Sequence, residues 1–181
     1  TSTLIEILND QTESIIWRQY ACDSLGKITD PAALDSLKNA LASENAMLRA
    51  YAIHAISHYK GKEIESLLRE ALRDSYYKVR INAANGLAER RNPSDSIPIL
   101  IYKAERDPEI KVREAAIQAL AQIGGKDAFS AVKTLFETDT TPYVIRVTAF
   151  EALVQHNLEG SISSFDRSEE RRVGKECATG C

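Results

Sequence analysis

Two histidines stand at metal-ligand spacing in the first half of the chain. His54 and His58 are four residues apart, which places both rings on one face of a helix. A zinc ion needs three or four ligands, and the neighbouring segments offer Asp23, Asn85 and Glu89 without a third histidine. We therefore expect an ordinary polar face here, with no metal and no other cofactor.

Arginine recurs inside an apolar helical pattern, where a cation needs a carboxylate or carbonyl partner. In "KVREAAIQALAQIGG", residues 111–125, Arg113 falls within the sector formed by Val112 and Ala116. Intervals of 31, 31, 33 and 33 residues separate the members of this series, which are Arg18, Arg49, Arg80, Arg113 and Arg146. Each guanidinium presents five donors, so buried acceptors must lie nearby.

The residues around each arginine follow one helical face. An apolar residue precedes it, alanine follows three residues later, and Leu or Ile follows at seven. This spacing predicts an amphipathic helix at each arginine. Trp17 precedes Arg18 and Cys22 follows it at four, so both are predicted to be core residues.

A second amphipathic segment precedes each of the later arginine helices. Its apolar residues are Leu34, Leu37 and Leu41; Ile64, Leu67, Leu68 and Leu72; Ile97, Leu100, Ile101 and Ala104; and Phe129, Val132 and Phe136. The period predicts antiparallel helical hairpins, and a single hairpin of this size cannot bury both apolar faces alone. We therefore expect an all-α solenoid of about five stacked repeats.

The repeats resemble the HEAT family, especially the short HEAT-like repeats of phycobilisome lyases. The resemblance rests on an aspartate at the turn and an arginine in the second helix, as in "DSYYKVR", "DPEIKVR" and "DTTPYVIR". It implies a right-handed superhelix over residues 1–166. Because buried guanidinium groups need acceptors, we expect a ladder in which a turn aspartate and turn carbonyls of the same repeat accept from each arginine. Its members are Arg18, Arg49, Asp74, Arg80, Asp107, Arg113, Asp139 and Arg146.

The side of the arginine helices opposite the core is polar in every repeat. In solenoids of the resembled family these helices line the concave surface, which implies a partner-binding face there. Its predicted members are Tyr20, Asp23, Tyr51, His54, His58, Asn82, Asn85, Gln118 and Glu151. We expect a protein or peptide to bind, with Tyr20 and Tyr51 as anchors.

The two ends of the chain interrupt the period. "TSTLIEILN" supplies only the end of a first helix, so we expect a truncated first repeat. Ile162 and Phe165 continue the spacing into the start of a sixth hairpin. Residues 167–177, "RSEERRVGKEC", resemble a translated sequencing adapter, so residues 167–181 are interpreted as a non-native tail.

Composition limits the classes of partner. The 181 residues carry a net charge of −3, and the predicted binding face is mostly acidic or neutral. We therefore expect neither nucleic-acid binding, which needs clustered cations, nor membrane insertion, which needs a long apolar run. Localisation is not indicated, with the cytoplasm as the default.

Two functions are expected for this HEAT-like chain. We expect a non-catalytic scaffold that binds a protein or peptide, within a larger bacterial-type protein. The alternative is a bilin-lyase-type protein, which the resemblance implies. Some HEAT-like proteins are iron-dependent hydroxylases that hold iron with His-Glu pairs. This chain contains no His-Glu dipeptide, so we do not expect that activity.

Overall fold

Ten α-helices form the described part of the computed structural model, which comprises residues 1–90 and 94–156. Short 3-10 turns precede the third and seventh helices at Pro31–Ala33 and Ser94–Ser96. The helices are α1 (Ser2–Asn9), α2 (Ile15–Ile28), α3 (Leu34–Ala40), α4 (Ala46–Ser57), α5 (Lys62–Ala71), α6 (Tyr77–Ala88), α7 (Ile97–Arg106), α8 (Ile110–Ile123), α9 (Lys126–Glu137) and α10 (Tyr143–His156).

The even-numbered helices are the predicted arginine helices, and their apolar faces form the core. The alanine three residues after each arginine is at most 1% exposed in all five repeats, at Ala21, Ala52, Ala83, Ala116 and Ala149. Cys22 is also fully buried, as predicted, and burial raises the pKa of its thiol to about 12. This thiol is therefore uncharged and unreactive at neutral pH.

The chain forms two compact units. In the first, Thr1–Ile99, α4 packs against α2 on one side and α6 on the other. Gly26 of α2 allows a very close approach, because a Cβ built there would lie 2.6 Å from the Cα of Ala55 in α4. In the second unit, which begins at Leu100, α10 packs against both α8 and α9.

Polar side chains fix where the hairpin turns end. Asp30 accepts a hydrogen bond from the Ala32 amide at 3.0 Å, and Asn45 caps α4 by accepting from the Leu48 amide at 2.9 Å. Asp74 and Asp107 make the same local contact with amides two residues ahead. These bonds satisfy donors that a helix start leaves open.

The prediction that Trp17 is a core residue is wrong. Its side chain is 60% exposed, whereas the corresponding Leu48, Val79, Val112 and Ile145 are at most 1% exposed. Leu48 lies in α4, which packs against α2 of the preceding hairpin. α2 packs against α1 and α4, and Trp17 lies on a side of α2 that these two helices leave exposed.

The predicted sixth hairpin, with Ile162 and Phe165, lies outside the described residues. So does the tail at 167–181, and both interpretations stay predictions.

Candidate functional site

The arginines bind the ends of helices, and one of them also joins two repeats. The Nε and Nη2 atoms of Arg49 donate to the two carboxylate oxygens of Asp74 at 2.9 and 3.0 Å. Its Nη1 donates to the carbonyls of Ser43 and Glu44. Arg49 thus holds the turn of its own repeat and the aspartate of the next.

This geometry corrects the partner expected for Asp74. The ladder was expected to pair Asp74 with Arg80 in the same repeat, yet Arg80 Nη1 donates to the main-chain carbonyls of Asp74 and Ser75. The carboxylate points instead toward the preceding repeat and binds Arg49. A bidentate pair requires a guanidinium that faces both carboxylate oxygens, and Arg49 lies in that position relative to Asp74.

Three other arginines share a contact that the sequence did not predict. Arg18 Nε donates to the carbonyl of Leu8, Arg113 Nε to that of Ala104, and Arg146 Nε to that of Phe136, at 2.9 to 3.0 Å. Each acceptor lies in the last turn of the first helix of the same hairpin, where carbonyls lack helical donors. The recurring arginine therefore caps its partner helix.

The two remaining ladder aspartates occupy different environments. The Asp107 carboxylate is buried and accepts from Lys103 Nζ at 3.0 Å and from the Glu109 amide at 3.1 Å. Asp139 lies exposed in the turn between α9 and α10. The ladder as a repeated within-repeat pair stays a prediction for these positions.

A groove of about 280 Å³ lies between α4 and α6, and it gathers three of the predicted binding residues. Tyr51, His54 and Asn82 all line it. Asn82 also has a structural contact, since its Nδ2 donates to the Ala50 carbonyl at 2.9 Å and joins the two helices. Tyr51 and His54 are thus the predicted residues that offer aromatic rings to a ligand in this groove.

Four groove residues were missed by the sequence reasoning: Met47, Ala50, Lys78 and Ile81. Met47 and Lys78 lie two residues before the arginine of their helix, and Ala50 and Ile81 lie one residue after it. Both rows are on the N-terminal side of the predicted face. Helical side chains lean toward the N-terminus, which moves the usable surface in that direction. The row one residue after the arginine was expected on the side opposite the core, but its members Ala50 and Ile81 were not named as binding residues, and the row two residues before the arginine was missed.

The other predicted residues lie on the surface away from this groove. Tyr20 is 56% exposed on α2, and Asp23 on the same helix pairs with Lys27 at 2.7 Å. Asn85 and Glu151 are exposed, and Gln118 is half-buried on α8. The groove does not include these side chains, and their role in binding stays a prediction.

His54 and His58 contact each other with ring centroids 5.0 Å apart. No group of three or more potential metal-binding side chains occurs within residues 1–90 and 94–156. Burial lowers the pKa of His54, and a charge on His58 lowers it further. This shift favours the neutral imidazole, which can both donate and accept a hydrogen bond.

Replacing His58 with glutamine is expected to raise the pKa of His54, because it removes a neighbouring charge. The titration of His54 can be followed through its ring protons by NMR. Its midpoint should lie below the ordinary histidine value of about 6.5 in the wild-type chain and move upward in the variant. An unshifted midpoint would show that His58 does not act on His54. His54→Gln serves to assign the resonance.

The second unit contains a slightly larger cavity of about 310 Å³. Leu120, Phe129 and Leu153 line it, with Gly124 and Gly125 at the turn before α9. These are packing positions of the repeat, and Lys126 is the one charged side chain among its described lining residues. We assign the candidate site to the α4–α6 groove, where aromatic and ionisable side chains converge.

A family model described as HEAT repeats matches residues 1–75 and 64–154. The chain belongs to the HEAT-repeat family. Two curated relatives are bilin biosynthesis proteins named PecE. The protein from Mastigocladus laminosus is 30% identical over 147 residues, or 77% of this chain and 54% of the relative. The protein from Nostoc sp. is 29% identical over 147 residues, or 77% of this chain and 57% of the relative.

Solved structures give the same fold. A chain of the CpcE–CpcF complex of phycocyanin lyase from Nostoc sp. PCC7120 aligns with a TM-score of 0.66 and 24% identity, over 88% of this HEAT chain and 65% of that one. A designed armadillo repeat protein aligns with a TM-score of 0.55 and 18% identity, over 92% and 87%. The predicted fold class, an all-α solenoid of HEAT-like repeats, is confirmed.

These matches contradict the expectation that the chain is non-catalytic, because the curated relatives are named as bilin biosynthesis proteins. The HEAT chain spans little more than half the length of the curated relatives. Across the part of the chain that the structure describes, none of the helices combines the length and apolarity needed to span a membrane.

Proposed function

We propose that this HEAT chain is part of a bilin-lyase-type protein and that it holds a bilin by non-covalent contacts in the α4–α6 groove. The observation that carries the proposal is the 30% identity to PecE over 77% of the chain. The relatives' names supply the ligand class, and the groove supplies a place for it.

The groove has the chemistry that a bilin requires. A bilin is a flat, open-chain tetrapyrrole with propionate groups. Tyr51 and His54 offer rings for stacking, and Met47 and Ile81 offer apolar contact. Lys78 is exposed at the groove, where its ammonium can pair with a propionate.

Cys22 is not suited to carry the bilin as a thioether. It is fully buried and its pKa is raised to about 12, so it does not form a thiolate at neutral pH. Cys22 is the one free cysteine of the described residues. We therefore assign this part of the chain the task of binding and orienting the bilin, while a thiol elsewhere accepts it.

The proposal predicts that adding the chain to phycocyanobilin changes the visible absorbance of the pigment, as the ring system is held in a fixed conformation. Tyr51→Ala should weaken binding about tenfold, because an aromatic contact is lost, and Lys78→Gln should weaken it several-fold. The titration is followed by absorbance and checked by the quenching of protein fluorescence.

Lys111→Gln is the matched control. Lys111 occupies the same place in its repeat as Lys78, two residues before the arginine, but lies in the second unit, where it pairs with Glu114 at 2.9 Å. This variant should bind like the wild type. If the wild-type chain leaves the pigment spectrum unchanged, the proposed function is refuted. If it binds and Tyr51→Ala binds equally well, the groove is refuted as the site.

A further inference from the structure

Asn82 is held in one orientation in the α4–α6 groove. Its Nδ2 donates to the carbonyl of Ala50 at 2.9 Å, and this bond distinguishes the nitrogen of the side-chain amide from its oxygen. Within residues 1–90 and 94–156, no donor is bonded to the Oδ1 atom. Because Asn82 also lines the groove, this oxygen is an acceptor that a ligand can use.

The groove has a cation at one end. Lys78 Nζ lies 3.9 Å from Met47 Sδ, and Tyr76 Oη donates to the same sulfur at 3.2 Å. Asn82 follows Lys78 by four residues, which is about one turn of α6. His54 follows Met47 by seven residues, or about 10 Å along α4. The order along the groove is therefore ammonium, amide and imidazole.

Carboxylates are absent from the lining of this groove, as far as the described residues form it. The ionisable groups outside the groove that act on His54 are Asp23 and Lys27 on α2, His58 directly after α4, and Glu89 directly after α6. Asp23 is paired with Lys27 at 2.7 Å. Glu89 follows Asn82 by seven residues, so it lies about 10 Å along the helix from the amide.

This distribution of charge bears on the protonation of a bilin. One ring of the neutral tetrapyrrole carries an imine nitrogen, and protonation of that nitrogen gives a cation that absorbs at longer wavelength. A neighbouring carboxylate stabilises such a cation, whereas burial and a nearby ammonium disfavour it. The groove has the Lys78 ammonium and an uncharged amide at Asn82, so its electrostatics favour the neutral pigment.

We propose that the groove selects the unprotonated bilin, with Asn82 Oδ1 accepting a hydrogen bond from a pyrrole N–H while Lys78 holds a propionate. This inference rests on the proposed function, since it takes a bilin as the ligand. The amide of Asn82 accepts from an N–H without adding a negative charge. The contact therefore orients the pigment and leaves it neutral.

The pKa of the bound pigment is the quantity that tests this proposal. Phycocyanobilin is titrated with acid, both free and bound to the whole chain, and its protonation is followed by the absorbance band at long wavelength. We expect the midpoint of the bound pigment to lie at lower pH than that of the free pigment. Far-ultraviolet circular dichroism at each pH shows where the chain remains folded.

Two substitutions at one position test the role of Asn82. Asn82→Asp places a carboxylate beside the N–H, so it should raise the pKa of the bound pigment by at least about one unit and shift the absorbance to longer wavelength. Asn82→Leu removes the acceptor and should weaken binding about tenfold without raising this pKa. Both variants lose the Nδ2 donor to Ala50, so a difference between them reports on the contact with the ligand.

A second variant introduces the charge without changing Asn82. Ile81→Glu adds a carboxylate to the lining of the groove and keeps the bond between Asn82 and Ala50, and it should also raise the pKa of the bound pigment. Asn39→Asp is the matched control, because Asn39 is exposed on α3 and is not a lining residue of the groove. The pigment bound to this control should titrate as it does in the wild type.

A bound pigment whose pKa equals or exceeds that of the free pigment would overturn the selection of the neutral form, while the binding of the bilin would stand. An unchanged pKa in Asn82→Asp would overturn the contact assigned to Asn82. A wild-type chain that leaves the pigment spectrum unchanged at every pH would refute the proposed function and this inference with it.

Discussion

Replacing Gly26 with alanine is expected to lower the free energy of unfolding by about 3 kcal/mol, because the added methyl group cannot be accommodated without moving the backbone. A Cβ at this position would lie 2.6 Å from the Cα and 2.9 Å from the Cβ of Ala55. In a helix without this neighbour the same change raises stability by about 0.5–1 kcal/mol. A loss of stability in Gly26→Ala would therefore indicate the close contact between α2 and Ala55 of α4.

Urea unfolding of the variant, followed by circular dichroism, provides the measurement. Gly86→Ala is an informative comparison, because its new methyl group would meet side-chain atoms of Ser57 and Leu68, at 2.7 and 2.9 Å, which can shift more readily than backbone. It should lose less stability than Gly26→Ala. Asn85→Ala, at an exposed site on α6, should change little. A higher midpoint for Gly26→Ala would contradict the close approach of α2 and α4.

Replacing Asp74 with alanine is expected to cost about 3 kcal/mol, since it leaves the Arg49 guanidinium without its carboxylate in a mostly buried setting. The two side chains are 14% exposed for Arg49 and 17% for Asp74. Asp35→Ala is the matched control, because the Asp35 side chain is 93% exposed, pairs with Lys38 at 3.6 Å and should contribute little. Equal losses for the two variants would contradict a special role for the bidentate pair.

The same pair predicts a dependence on pH. Burial alone would raise the pKa of Asp74, but hydrogen bonds from Arg49 and from the Tyr76 amide outweigh it and hold the pKa below its usual value. The folded state therefore gains stability from this carboxylate above the unfolded value of about 3.9, and loses it as the pH falls through the lower folded value. Asp74→Asn should show a shallower loss of stability in acid than the wild type.

The helical period was readable from the sequence, because buried alanine and leucine recur at fixed distances from each arginine. The sequence also indicated that carboxylates and carbonyls must accept from those arginines, but not which ones. A carboxylate such as Asp74 is visible in a sequence, whereas the carbonyls of Leu8, Ala104 and Phe136 become specific acceptors only once two helices meet. Proximity in sequence therefore indicated Arg80 as the partner of Asp74.

The candidate groove was only partly predicted, and the reason is similar. Tyr51 and His54 follow from the polar side of α4, but Lys78 belongs to a different row of α6 and joins them only through the packing of the two helices. Trp17 was predicted wrongly for a different reason. Its position in the period indicates burial, but burial also requires a neighbouring helix that covers this position, and the period does not show whether one does.

The bond between Arg49 and Asp74 also constrains how such a gene can change in length. At this junction one repeat contributes a cation toward its successor, and the successor contributes an anion toward its predecessor. Duplicating one full period that spans this junction would reproduce it between the new neighbours. Inserting a fraction of a period between Arg49 and Asp74 would separate donor from acceptor, so the pair favours lengthening of the protein here by whole repeats.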